Sequence, residues 1–225
     1  MLISFSVKPK TRVENILLFN SADLSSFSTN VIPLFGPNGV GKSTLIKSMM
    51  DGQLKLNTDT PTQYFSYCNS TDNFKHREPR SINESFDPFL LNAKFDAQSL
   101  SEGQSIIYSM FDLLEGFYPQ GELSPVHNCD YLILLDEIDS GLSIDNIDTT
   151  MRKIQYIMRT RNDVQIMFSF NSPRVLKWFP EVLSMYDGTK ITLHTDEDMI
   201  KEIRKHKKEF DKLRKNSKGR PKVVV

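Results

Sequence analysis

The chain has 225 residues, 28 Lys and Arg against 28 Asp and Glu, and only two cysteines, which fits a soluble α/β chain large enough to bury a sizeable core. Its longest strongly apolar run, around Leu132 to Leu135, falls far short of the roughly 20 residues of a membrane span. The start MLISFSVKPK lacks the layout of a secretory signal. Cys68 and Cys129 lie far apart with no CxxC and no His cluster, which argues against a disulfide framework or zinc site and for a reducing cytoplasm.

In chain order, Leu2–Val7 alternates loosely and predicts a strand, and Asn15–Phe19 a second one. Val31–Phe35 is a short apolar run ending in a glycine turn, as a buried strand would. Ser43–Met50 carries Leu45, Ile46, Met49 and Met50 at helical spacing, so strand, turn and helix follow one another. Thr62–Cys68 is rich in aromatics and predicts a further strand. Residues 69–100 are polar with scattered Phe and Leu and read as a short, partly helical insertion. Ser101–Glu115 places Ile106, Ile107, Met110, Phe111 and Leu114 on one helical face. Tyr131–Leu135 is a buried strand, Ile144–Met158 a helix and Val164–Phe168 a strand. Val182–Met185 and Ile191–Leu193 form a closing pair around Asp187-Gly188. Alternating strands and helices predict an α/β fold, a mostly parallel sheet with helices on both sides and small antiparallel N-terminal strands.

Gly36, Pro37, Asn38, Gly39, Val40, Gly41, Lys42 and Ser43, followed by Thr44, match G-x-x-x-x-G-K-[ST] between a predicted strand and a predicted helix. Glycines let the main chain approach a ligand closely, and successive N–H groups form an anion-binding concavity at the positive end of the next helix. This is the phosphate-binding loop, the Walker A motif of P-loop proteins. Lys42 would pair with the β and γ phosphates of ATP and Ser43 would hold Mg²⁺. The strand Leu132–Leu135 ends in Asp136 and Glu137. Asp136 can reach the Mg²⁺ shell, and Glu137 can accept a proton from an attacking water.

Between these two motifs, Leu100-Ser101-Glu102-Gly103-Gln104 resembles the LSGGQ signature of ABC-type (ATP-binding cassette) ATPases, and Ser140-Gly141-Leu142-Ser143 stands where that family has its D-loop. The resemblance spans about residues 1–195, read as one ATPase domain that contains the insertion, followed by a basic segment, 196–225. It implies a P-loop fold and an ATP hydrolase. The nucleotide would be gripped by Lys42 of one copy and by Ser101, Gly103 and Gln104 of another, in a homodimer or with an ABC-like partner subunit.

Several positions depart from the family pattern. Asn171 stands where the family has a histidine that contacts the γ-phosphate; it can hydrogen-bond but carries no charge, so slow turnover is expected. Glu102 replaces a glycine and Ser143 an aspartate. Gln63 and Asn69 compete for the glutamine position near Mg²⁺, with Asn69 taken for the metal shell. Arg12 and Phe19 are the candidates for contacting adenine. The short insertion and the absence of an Arg-rich run after the signature favour a soluble ATPase like those of DNA-repair, chromosome-structure and prokaryotic defence systems, driving or timing a separate effector protein or a nucleic-acid transaction. The ATPase subunit of a transporter with a separate membrane subunit is the alternative, and a clamp that binds ATP without turnover the third reading.

The net charge of zero hides an asymmetry. Residues 1–200 carry 17 basic against 25 acidic residues, and residues 201–225 carry 11 against 3. Thr195-Asp196-Glu197-Asp198 reads as a capping box, and Met199, Ile203, His206, Phe210 and Leu213 form a helical stripe. This basic tail fits a helix docked on its own domain, a helix docked on a partner protein, or a nucleic-acid contact through 201–225. His206 is read as a packing residue.

Overall fold

The computed structural model describes residues 1–9, 17–68, 102–119, 121 and 130–218. The insertion 69–100, Asn69, Ser101 and Arg12 lie outside the described residues.

Two sheets form the frame. The smaller has three antiparallel strands in the order β2-β1-β4, from β1 (Leu2–Val7), β2 (Ser21–Asp23) and β4 (Leu54–Thr58). The larger has six strands in the order β5-β6-β7-β3-β8-β9. They are β3 (Val31–Phe35), β5 (Thr62–Cys68), β6 (Asp130–Asp136), β7 (Val164–Ser169), β8 (Glu181–Ser184) and β9 (Lys190–Thr192). Every pairing in the larger sheet is parallel except the closing hairpin β8–β9. The helices are α1 (Lys42–Met50), α2 (Glu102–Gly116), α3 (Ile144–Thr160) and α4 (Asp196–Lys218), with a 3-10 helix over Pro173–Lys177. The mixed α/β architecture therefore has the predicted layout.

The central strands are buried on both faces, which is why their sequences run apolar without alternation. Leu132, Ile133, Leu134 and Leu135 are each 0% exposed, and each such side chain contributes on the order of 2 kcal/mol. Pro33 is tolerated within central β3 because pairing to β8 begins only at Leu34. The two sheets are joined by buried Gln165, whose side chain accepts from the Leu2 amide at 2.9 Å and donates to the Leu2 carbonyl at 3.1 Å. The C-terminal end of α2 is locked by Phe117, edge-on to Phe65 at 5.2 Å and to Tyr131 at 5.5 Å.

One expectation is corrected, and one strand is new. The second strand is Ser21–Asp23, paired antiparallel with Ser4–Ser6, whereas residues 17–19 of the expected strand Asn15–Phe19, the part that is described, are not strand. Leu17 and Phe19 are buried in the core from irregular chain instead. The third N-terminal strand, Leu54–Thr58, was unforeseen: buried Leu54 and exposed Lys55 start an alternation too short to stand out.

The capping box forms. Asp198 Oδ2 accepts from the amides of His194 and Thr195, and Thr195 Oγ1 accepts from the Asp198 amide at 3.1 Å. Met199 and Ile203 pack on the core, and His206 stacks on Tyr186 with ring centres 4.4 Å apart and planes 13° apart. The first half of α4 is thus docked on its own chain, and His206 is a packing residue. No helix among the described residues is long and apolar enough to cross a membrane.

Candidate functional site

In an open parallel sheet, ligands bind beyond the carboxyl ends of the strands where the order reverses. Here β3, β6 and β7 end side by side, with β3 flanked by β7 and β8. The loop after β3, the first turn of α1 and the segments after β6 and β7 all meet at that end.

The loop Gly36–Gly41 has the geometry its composition demands. Gly36, Gly39 and Gly41 have φ values of 155°, 83° and 106°. A Cβ at Gly36 would stand 2.7 Å from Val40 Cγ1 and 3.3 Å from Met185 Cβ. Val40 is buried beneath the loop, while Asn38 and Gly39 are exposed. Gly41 caps α1 with no side-chain hydrogen bond, and the first helical bond runs from the Leu45 amide to the Gly41 carbonyl. The first-turn amides of Lys42, Ser43 and Thr44 therefore lack a side-chain cap, the arrangement that an anion completes.

Lys42 is 7% exposed, and its Nζ donates to the Gly36 carbonyl at 2.6 Å and to Asn171 Oδ1 at 3.0 Å. Burial pushes its ammonium below the ordinary lysine range, while the nearby carboxylates of Asp139, Glu137 and Asp136 oppose that shift. Ser43 Oγ donates to Asp136 Oδ1 at 3.0 Å. Ser169 Oγ donates to the same oxygen at 2.6 Å and accepts the Glu137 amide at 2.6 Å. Glu137 has φ 53°, the single positive value outside glycine among the described residues. It sits at a sharp turn where the strand ends and the chain leaves the sheet.

Asp139 Oδ2 accepts the Asn171 amide at 2.7 Å and also the Ser172 amide. Ser172 in turn caps the 3-10 helix. Asp148 of α3 is ion-paired to Arg174 and accepts Trp178 Nε1 at 2.9 Å. Arg174 foremost, and then Trp178, hold the Asp148 carboxyl well below the usual carboxylate range.

The predicted cradle residues Gly36 to Thr44, together with Asp136, Glu137 and Asn171, thus converge at one end of the sheet. Gly103 and Gln104 lie in the first turn of α2. Gln63 pairs with Tyr131 at the start of β5, while Cys68 is the residue level with Asp136. Gln63 is thereby at the far end of its strand from the cradle. Phe19 is 8% exposed and packs on Phe5 at 6.1 Å, so it is a core residue and offers no face to an adenine ring.

Ser169 and Asp139 escaped the sequence reading. Ser169 shows only as a polar residue closing an apolar strand, and Asp139 as one more acid beside Glu137.

The site suits a magnesium-bound triphosphate. Glycine amides, a buried lysine and an uncapped helix start are donors for phosphate oxygens, and Ser43 with Asp136 offers the hard oxygen pair that Mg²⁺ takes beside phosphates and water. Among the described residues no group of three or more His, Cys, Asp or Glu could hold a metal. Protein side chains would therefore supply only part of the shell.

No protein-family model matches the sequence, and no curated protein matches it. Solved structures do. The ATP-binding subunit of an ABC transporter is 15% identical, with 91% of this chain and 100% of that chain covered and a TM-score of 0.53. A nucleotide-free ATP-binding cassette from an ABC transporter is 14% identical over 91% of this chain and 96% of that one, also with a TM-score of 0.53. The chain has the fold of ABC-type ATPases.

Proposed function

We propose that this chain binds ATP with Mg²⁺, closes against a second copy around the nucleotide, and hydrolyses it to drive or time a partner. The observation that carries this reading is the meeting of three separated segments. Lys42 Nζ touches Asn171 Oδ1, and Ser43 Oγ touches Asp136 Oδ1, beside the glycine loop and Glu137.

Gly36 to Thr44 hold the phosphates through backbone N–H groups, and Lys42 Nζ turns from the Gly36 carbonyl to phosphate oxygens. Ser43, Asp136 and Asn69 would hold Mg²⁺, which would neutralise charge on the phosphates. Ser169 Oγ fixes both the Asp136 carboxylate and the Glu137 backbone. The Glu137 carboxylate takes the proton of the attacking water as its oxygen bonds to the γ-phosphorus and the bridging oxygen leaves with ADP. Asn171 donates a neutral hydrogen bond to a γ-phosphate oxygen, weaker than a charged donor would give, and turnover is slow. Ser101, Gly103 and Gln104 present the start of α2 to the nucleotide of the facing copy, so neither copy has a complete site alone.

The measurement is steady-state phosphate release with parallel nucleotide titration. Wild type hydrolyses ATP, and Glu137→Gln binds ATP without hydrolysis. Turnover unaffected by Glu137→Gln overturns the catalytic assignment. Co-purification with a membrane protein only in detergent would instead favour a transporter subunit. The docking of Met199, Ile203 and His206 supports an intramolecular role for the start of α4 and leaves residues beyond it for a partner protein or nucleic acid.

A further inference from the structure

The loops that follow β6 and β7 are laced together. The Glu137 amide binds Ser169 Oγ, the Ile138 amide binds the Ser169 carbonyl at 3.2 Å, and the amides of Asn171 and Ser172 both bind Asp139 Oδ2. Asp139 is 8% exposed, and its other oxygen is buried with no hydrogen-bond partner among the described residues. A half-satisfied buried carboxylate is costly and needs a reason. Two acceptor bonds to consecutive amides fix the direction of the Asn171 backbone, and Asn171 is the side chain that meets Lys42.

We infer that Asp139 is a positioning residue: it orients Asn171 against Lys42 and so sets where the γ-phosphate donor of the proposed site stands. This rests on the hydrolase reading above and adds to it a residue that acts through Asn171. Asp139 does not rival Glu137 as the base, because one oxygen is spent on two amides and the group is sealed from water. It is not a metal-shell residue on the same ground. Its charge also helps keep buried Lys42 protonated, but an amide in its place would retain the two acceptor bonds. Charge and positioning are therefore separable.

The test uses the full-length chain with Asp139→Ala, Asp139→Ser, Asp139→Asn, Asn171→Ala and the double variant Asp139→Ala/Asn171→Ala. For Asp139→Ala, kcat is expected to fall about tenfold to a hundredfold, as for a displaced positioning contact, with the ATP dissociation constant within about threefold of wild type. Asp139→Asn recovers most of the loss, and the double variant is no slower than Asn171→Ala alone. Site-resolved amide exchange should show Asn171 and Ser172 exchanging at least about tenfold faster in Asp139→Ala, with the β6 amides unchanged.

The inference is overturned if kcat and affinity fall together, if Asn is no better than Ala, if the double variant is slower by the product of the single effects, or if the two amides keep their protection. If wild type does not hydrolyse ATP, the hydrolase reading fails, and amide exchange alone decides whether Asp139 holds the Asn171 segment. If neither Asp139→Ala nor Asp139→Ser folds, a purely structural role accounts for the residue and the inference is wrong.

Discussion

Gly36→Ala tests whether the cradle is shaped by a steric limit. The new methyl would lie 2.7 Å from Val40 Cγ1 and 3.3 Å from Met185 Cβ, at φ 155°. Neither neighbour yields easily: Val40 is 1% exposed and stiff at its branched Cβ, and Met185 is 0% exposed. Overpacking costs about 1–3 kcal/mol and the backbone conformation about 1–3 more, so a loss of about 2–6 kcal/mol is expected. For a chain of this size that lowers Tm by roughly 4–24 °C. Gly39→Ala is the control: its φ is 83° but nothing lies within 4 Å of an added Cβ, so only about 1 kcal/mol is lost. Urea unfolding followed by circular dichroism measures both variants. Val40→Ala in the Gly36→Ala background should restore about 1–2 kcal/mol relative to additivity, because it removes the clashing methyl. A Gly36→Ala loss no larger than that of Gly39→Ala, or a double variant that is simply additive, would refute the steric argument.

Other outcomes follow from the same contacts. Lys42→Ala removes a charge-assisted donor worth about 2–3 kcal/mol to a phosphate, so ATP affinity by calorimetry should fall about thirtyfold to a hundredfold or more. The Arg161 guanidinium grips both oxygens of Asp163, each at 2.7 Å, and holds its carboxyl below the ordinary value. A depressed carboxyl stabilises the fold above its unfolded value of about 4 and loses that contribution as pH falls through the lower folded value. Wild type should therefore exceed Asp163→Asn in urea midpoint at pH 7, with the gap shrinking below about pH 4. Burial, with Glu202 adding to it, pushes the Tyr186 phenol up to about 12. Tyr186 should therefore resist ionisation, and a spectrophotometric titration should lose a high-pH component in Tyr186→Phe. His206→Ala removes the ring stacked on it, which should lower stability by about 1 kcal/mol and expose α4 to protease.

What the sequence revealed follows from how local each signal is. The cradle is contiguous, so composition and spacing disclose it. β6 and β7 are continuous apolar runs, and the α3 face repeats at helical period. β2 was misplaced because Asn15–Phe19 looks more strand-like than Ser21-Ala22-Asp23, and only pairing with Ser4–Ser6 decides between them. The 3-10 helix depends on Ser172, which is held by Asp139 from 33 residues away. Likewise Ser169 serves Asp136 and Glu137 across 33 and 32 residues. Such contacts exist only once the sheet sets β6 beside β7, and no short window of sequence records them.

In the proposed mode of action one nucleotide is shared between two copies. The most direct measurement is the mass of full-length Glu137→Gln by light scattering in Mg²⁺ with ATP, with ADP and without nucleotide. Twice the single-chain mass with ATP alone is the predicted result. A single-chain mass under all three conditions, with ATP shown to be bound, would contradict it.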